Sequence, residues 1–340
     1  MKAGDQQPDF PHTSPAPKDQ YNPPAKGFLS MLPTALVPYA ELMRLEKPAG
    51  LYAFYFPYII GLCYAACIRD SPPTLEHMMN LAGLFLVWCI ILRGAACCWN
   101  DNTDQEFDRK VLRCRFRPIA RGAVSTAQGH LFTAALGLAG VPILINLPAE
   151  CTYHAVPVTL LFMLYPFAKR VTYYPQVVLG FPFAWAIFIC CAALEVDPFH
   201  PQVFGSAACL FVANVCWTII YDTIYAHQDI KYDVAAGVKS MAVRFADSTK
   251  LLTSILAVAQ VVLLLAAGHS AGLSSVYFIV SCGGTAFALI NMIGRVDLEV
   301  PASCAQWFHR GFWYVGGTVA AGLFGMYLER QPAWNAAHHS

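Results

Sequence analysis

Charge is what this chain has least of: Asp, Glu, Lys and Arg make up 13% of its 340 residues, against roughly a quarter in a soluble domain. That shortage excludes an ordinary water-soluble enzyme. The formal net charge of +1 says little about partners, its distribution more, and no nucleic-acid partner is expected. No Cys-x-x-Cys pair occurs among the 13 cysteines, an odd number, so neither a disulfide frame nor a zinc site is indicated. Most of them sit inside apolar runs and read as small packing residues. His77, His154, His269 and His309 are scattered and support no metal site. The short alternating segments of a β-barrel are missing as well.

What is abundant is apolar sequence. Hydrophobic residues make up 57%, and the mean hydropathy is +0.47. Nine apolar segments of membrane-spanning length run over about 49–68, 78–99, 127–147, 152–168, 174–194, 202–223, 250–268, 273–294 and 311–328. The fold class expected is therefore all-α and integral to the membrane, with about nine transmembrane helices. Pro57, Pro142, Pro157 and Pro182 fall within the runs, which packed membrane helices tolerate. Residues 1–40 form a polar, Pro-rich tail expected to be disordered, 41–330 the membrane domain, and 331–340 a short C-terminal tail. The tail holds no Arg before Arg44 and carries Asp5, Asp9 and Asp19, which disfavours a mitochondrial presequence.

Nine spans put alternate loops on opposite sides. Of 22 Lys and Arg, only Arg69 and Arg330 fall on the side of the C-terminus. The positive-inside rule then places the N-terminus and the 100–126 and 224–249 loops in the cytosol. An internal membrane such as the endoplasmic reticulum is expected.

The scarce charge is concentrated. Between Asn100 and Gly122 lie Asp101, Asp104, Glu106 and Asp108, with Arg109, Lys110, Arg113, Arg115, Arg117 and Arg121. Asn100, Asp104 and Asp108 are spaced i, i+4, i+8, one face of a helix continuing the second span. On the same side, Asp222, Asp229 and Asp233 share a face that extends the sixth span, with Tyr225 alongside. Carboxylates crowded on one face repel unless cations bridge them. An oxygen-only ligand set of Asp and Asn suits Mg²⁺, which reaches substrate phosphates. Neighbouring bases (Lys110, Arg113, Arg117, Lys169, Arg170, Lys239) supply counter-charge for an oxygen-rich anion. Two acidic motifs, flanking cations and an apolar surround point to a diphosphate carried on an apolar tail.

At these residues the chain resembles the UbiA superfamily of intramembrane prenyltransferases. The pattern NDxxDxxxD matches at Asn100, Asp101, Asp104 and Asp108, and its basic continuation at Lys110, Arg113, Arg117, Pro118 and Gly122. A second pattern matches at Tyr221, Asp222, Tyr225, Ala226, Asp229, Asp233, Gly237, Lys239 and Ser240. Weaker matches at Arg44–Gly50 and Tyr165–Gln176 resemble the 4-hydroxybenzoate polyprenyltransferase branch. The chain departs from the pattern at Tyr232, where many members carry an acid, and at Ala96, where Gly is frequent.

The resemblance implies a ring of nine helices around a central cavity capped by the acidic motifs. It implies an enzyme, an aromatic prenyltransferase. Mg²⁺ would sit on Asn100, Asp104, Asp108, Asp229 and Asp233, with the four aspartates catalytic. The diphosphate would meet Arg93, Lys110, Arg113, Arg117, Lys169 and Lys239, with Asp101, Asp222 and Tyr225 in support. The acceptor would be an aromatic ring, as in fungal meroterpenoid enzymes that transfer a farnesyl group to polyketide-derived phenolic acids. Partners beyond these small molecules and the bilayer are not expected. Alternatives are a 4-hydroxybenzoate polyprenyltransferase of ubiquinone biosynthesis, a terpene cyclase on the same scaffold, and, from another class, a membrane transporter.

Overall fold

The computed structural model describes the backbone of residues 21–338 and side chains through residue 331; no strand occurs among them. The helices in order are α1 (Val37–Leu42), α2 (Pro48–Ile68), α3 (Leu75–Asp108), α4 (Thr126–Ile145), α5 (Ala149–Val171), α6 (Pro175–Ala184) and α7 (Ala186–Ala193). There follow α8 (Pro201–Ala226), α9 (Ile230–Ala236), α10 (Met241–Phe245), α11 (Thr249–Ser270), α12 (Gly284–Arg295), α13 (Pro301–Gly311) and α14 (Gly317–His338). Among the described residues, eight stretches are long and apolar enough to cross a membrane. They are α2, α3, α4, α5, α6–α7, α8–α9, α10–α11 and Tyr277–Arg295. The ninth expected segment falls on the helical run from Pro301 to His338.

The tail boundary differs from expectation. Residues 1–20 lie outside the described residues, but 21–40 carry structure. The Tyr21 hydroxyl donates to Glu41 at 2.7 Å, and the Arg121 guanidinium stacks 3.7 Å from the Tyr21 ring centre. Arg121 also pairs with Glu41 at 2.6 Å, and Leu29 is buried in the turn Phe28–Met31. A polar, Pro-rich composition hid these tertiary anchors. At the other end, α14 continues to His338, so 331–338 extend a helix and are not a separate tail.

The longest helix, α3, positions the first acidic motif. It starts where Thr74 Oγ1 accepts the His77 N–H, with Glu76 in the first turn, both favourable at a helix N-terminus. No Pro interrupts its 34 residues. At about 1.5 Å per residue it is roughly 51 Å long, well beyond an apolar slab of ~30 Å. The last turns, Asn100–Asp108, therefore reach past the apolar zone.

The core lies around α7, every residue of which is buried, packed against α2. Contact is close enough that a Cβ at Gly61 would lie 2.8 Å from the Ile187 Cα. A side chain there would drive the two helices apart. α8 packs on α6 on one side and on α11 on the other.

α8 ends at Ala226 and passes through a tight turn, His227–Asp229, into α9. The second acidic group thus spans a helix, a turn and another helix, where the spacing alone predicts one unbroken face. The turn carries Asp229 inward, and His227 is held there by Thr249 Oγ1 at 3.0 Å.

Candidate active site

A cavity of about 310 Å³ opens where α3, α5, α6 and α8 converge. From α3 it receives Asn100, Asp101, Asp104 and Asp108, and from α8, the turn and α9 it receives Asp222, Tyr225, Asp229 and Asp233. Arg113 and Arg117 enter from the loop after α3, Lys169 and Arg170 from the last turn of α5, and Lys239 from the chain after α9. Arg44 completes the set. Six carboxylates thus face six cations in one cavity, a near balance of charge. Among the described residues, none of the lining comes from α11–α14.

Four of the six carboxylates, Asp101, Asp104, Asp108 and Asp229, are engaged by cations. Lys169 Nζ donates to Asp104 Oδ2 at 2.9 Å and to Asn100 Oδ1 at 3.3 Å, over the Tyr165 ring. Arg117 donates to Asp108 Oδ2 at 2.8 Å and to Asp101 Oδ1 at 3.1 Å. Arg44 grips both Asp101 oxygens at 2.7 Å. Arg113 Nε donates to Asp229 Oδ2 at 2.8 Å, and its Nη1 reaches the Tyr225 hydroxyl at 3.2 Å. Burial pulls the Arg117 guanidinium down, but Asp101 and then Asp108 override it and hold its pKa well above the ordinary value. Arg113 behaves alike: burial lowers it, while Tyr225 and Asp229 hold it up. Both stay charged across any working pH.

Below the charged mouth the cavity turns apolar. Phe54 of α2, Phe162 of α5 and Phe183 of α6 line its floor and touch one another. Phe54 stacks on Phe162 with centroids 5.2 Å apart, and Phe183 stands edge-on to Phe54 at 4.8 Å and to Phe162 at 5.5 Å. Leu179 adds to this wall. The site is amphiphilic: ions at one end, hydrocarbon at the other.

Of the fourteen metal, diphosphate and supporting residues that the resemblance implies, twelve meet at this cavity: Asn100, Asp101, Asp104, Asp108, Arg113, Arg117, Lys169, Asp222, Tyr225, Asp229, Asp233 and Lys239. Two candidates for the diphosphate do not. Lys110 is exposed and turned away. Arg93 is buried and donates to the carbonyls of Arg44 at 3.0 Å and Lys47 at 2.7 Å. About two turns before the first motif on α3, it braces the chain between α1 and α2 instead of facing the cavity. A Cβ at Gly50 would lie 2.6 Å from the Arg93 guanidinium, so glycine makes room for the brace.

That brace holds a residue the motif spacing did not flag. Arg44 has φ 57°, a left-handed backbone that costs a non-glycine residue on the order of 1 kcal/mol. The conformation sends its side chain to Asp101 at the cavity edge. Its place in the Arg44–Gly50 match was the only signal. Gln176, also missed, is buried in the wall, where Oε1 accepts the Met241 N–H at 3.1 Å. Other arginines of the charged island hold the loop itself: Arg109 Nε donates to Ala120 O at 3.2 Å and Arg121 pairs with Glu41.

The donor set of Asn and Asp oxygens suits a hard divalent cation. Among the described residues, however, no three His, Cys, Asp or Glu groups converge as a ready-made metal cage. The ion pairs above bear on this: the oxygens of Asp104, Asp108 and Asp229 are turned onto Lys and Arg. The residues fit the ion in kind, and the present partners of Asn100, Asp104, Asp108 and Asp229 are themselves cations.

The UbiA prenyltransferase family matches residues 54–316. The prenyltransferase ascA of Acremonium egyptiacum is 43% identical over 82% of this chain and 83% of its own length. The mitochondrial 4-hydroxybenzoate polyprenyltransferase of Saccharomyces cerevisiae is 37% identical over 83% of this chain and 74% of its own. The DMOA farnesyltransferase nvfB of Aspergillus novofumigatus is 36% identical over 85% and 92%. Among solved structures, a UbiA homolog from Archaeoglobus fulgidus bound to GPP and Mg²⁺ superposes with a TM-score of 0.62 at 17% identity, over 86% of this chain and 99% of that one.

Proposed function

This chain belongs to the UbiA prenyltransferase family of multi-pass membrane enzymes, and on that premise we propose that it transfers a farnesyl group from its diphosphate to a ring carbon of a polyketide-derived phenolic acid. The observation that carries the proposal is the two-ended cavity: paired ions at the mouth, three phenylalanines at the floor. A diphosphate with a hydrocarbon tail matches both ends at once. The similarity to the farnesyltransferase nvfB supports farnesyl as the donor.

Asn100, Asp104, Asp108, Asp229 and Asp233 would hold Mg²⁺, which supplies Lewis-acid neutralisation of diphosphate oxygens. Lys169, Arg113, Arg117 and Lys239 take the charge that builds on the departing diphosphate. The C–O bond breaks toward an allylic cation. Phe54, Phe162 and Phe183 wall the apolar end that takes the tail and help to exclude water that would trap the cation as an alcohol. The aromatic ring attacks through carbon and loses a proton. Asp101, Asp222 and Tyr225 support this arrangement: Asp101 fixes Arg44 and Arg117, and Tyr225 orients Arg113. The mouth and the N-terminus face the cytosol, in an internal membrane such as the endoplasmic reticulum, a placement supported by the Lys and Arg distribution.

The test is a donor series (geranyl, farnesyl, geranylgeranyl and longer polyprenyl diphosphates) with phenolic acids in isolated membranes. Acceptor-dependent consumption of the farnesyl donor is expected. Preference for long polyprenyl donors with 4-hydroxybenzoate would replace this reading with the ubiquinone branch, in line with the yeast relative. Hydrocarbon made without acceptor would replace it with a cyclase, and no diphosphate consumption would leave the transporter alternative.

A further inference from the structure

Lys169 stands out among the cavity cations. Its ammonium lies between Asn100 Oδ1 and Asp104 Oδ2, at 3.3 and 2.9 Å. These are the two oxygens, four residues apart on α3, that are suited to share a cation. It arrives from the last turn of α5, a helix end that favours positive charge, and the Tyr165 ring lies 4.9 Å beneath it. Half-buried, it sits where Coulomb terms are stronger than in open water.

We propose that Lys169 is a resident stand-in for the divalent ion at Asn100–Asp104, and that the ion gains this pair only together with a diphosphate. Two observations carry the inference. First, the ammonium and an incoming cation compete for the same oxygens, so the ion alone must displace a bonded positive charge. Second, the cavity's six acids already face six bases. Divalent ions alone would leave excess positive charge in a partly desolvated site, and a diphosphate alone excess negative charge. Together they nearly cancel, and the diphosphate offers the displaced ammonium a new partner. Metal and diphosphate then bind with positive coupling, reciprocal by linkage. The inference rests on the prenyl-transfer reading above, because it takes a diphosphate as the cavity's anion.

The test measures Mn²⁺ binding by electron paramagnetic resonance to the full-length protein in nanodiscs. It is run with and without a non-ionising thio-analogue of farnesyl diphosphate. For the unaltered protein, the analogue should tighten Mn²⁺ binding by about tenfold or more. Lys169→Met should bind Mn²⁺ alone about tenfold more tightly than the unaltered protein, with the tightening by analogue reduced. Adding Asp104→Asn to Lys169→Met should erase that gain, which ties it to this oxygen pair. Lys169→Arg, which keeps the charge, should retain weak Mn²⁺ binding in the absence of analogue. Equal Mn²⁺ affinity with and without analogue in the unaltered protein would overturn the proposal without recourse to any variant. So would unchanged or weaker Mn²⁺ binding in a folded Lys169→Met protein. If the unaltered protein turns over farnesyl diphosphate while either result holds, this inference alone fails. If it binds neither Mn²⁺ nor the analogue, the functional reading fails with it.

Discussion

Arg113 holds Asp229 across the mouth of the cavity, Nε to Oδ2 at 2.8 Å, joining two acidic motifs whose paired residues stand 116 positions apart. One cation thus bridges the loop after α3 and the turn after α8. The pair is partly exposed, with 36% of the Arg113 side chain accessible, so it is weaker than a fully buried one. In a double-mutant cycle, Arg113→Ala and Asp229→Ala should show a coupling of about 0.5–3 kcal/mol in kcat/KM for the donor. Strict additivity would mean that the pair does not act as a unit.

Removing Asp104 should be the most damaging single change. Asp104→Ala is expected to lower prenyl transfer by at least about 10³-fold, the scale of losing a main electrostatic group. The protein should remain in the membrane fraction, because packing around α7 does not involve this residue. Near-normal transfer with Mg²⁺ present would remove Asp104 from the site. Lys110→Ala is the matching control: exposed and outside the cavity, it should leave kcat/KM within about twofold, the usual range for surface changes.

Arg93 gives a different signature. Arg93→Ala should destabilise the protein by about 2–4 kcal/mol by leaving the Arg44 and Lys47 carbonyls short of donors and a gap beside Gly50. Thermal melting in detergent checks this. Gly50→Ala should lower the melting temperature for the same reason, by displacing the Arg93 guanidinium. A melting temperature unchanged in both variants would show that the chain between α1 and α2 stands without the brace.

The floor should set donor length. Phe162→Ala or Phe183→Ala opens space beneath the cavity and is expected to raise kcat/KM for geranylgeranyl diphosphate relative to farnesyl diphosphate, by about tenfold. Each substitution should also cost about 3–5 kcal/mol of stability, as for other buried Phe→Ala changes. Competition between the two donors in one reaction reads the ratio directly. An unchanged ratio in both variants would place the tail elsewhere.

Much of this was legible before any coordinates. The apolar runs fix the spans because a helix must satisfy its own backbone inside lipid, and the i, i+4, i+8 spacing of Asn100, Asp104 and Asp108 fixes a shared face. What spacing does not encode is which cation meets which acid. Arg93 and Arg117 are equally basic in sequence, yet one braces backbone carbonyls and the other spans Asp101 and Asp108. Arg44 was hidden because its left-handed backbone depends on tertiary bracing, not on local preference. The turn at His227–Asp229 was hidden for a related reason: period-based reasoning extends a helix until Pro or Gly stops it, and neither is present there. The structure of residues 21–40 went unread because its anchors, Glu41 and Arg121, lie outside the tail.

The length of α3 gives the protein a ruler. The end that carries Asn100–Asp108 stands at a fixed height above its root at Leu75, whatever the bilayer does around it. A thicker bilayer must drag the carboxylates toward hydrocarbon or tilt the helix, and a thinner one must lift them into water; each adjustment costs fractions of a kcal/mol per ångström. Turnover measured across phosphatidylcholine vesicles of increasing acyl length should therefore pass through a maximum. Which membranes this enzyme works in would then depend in part on the thickness of the lipid it lives in.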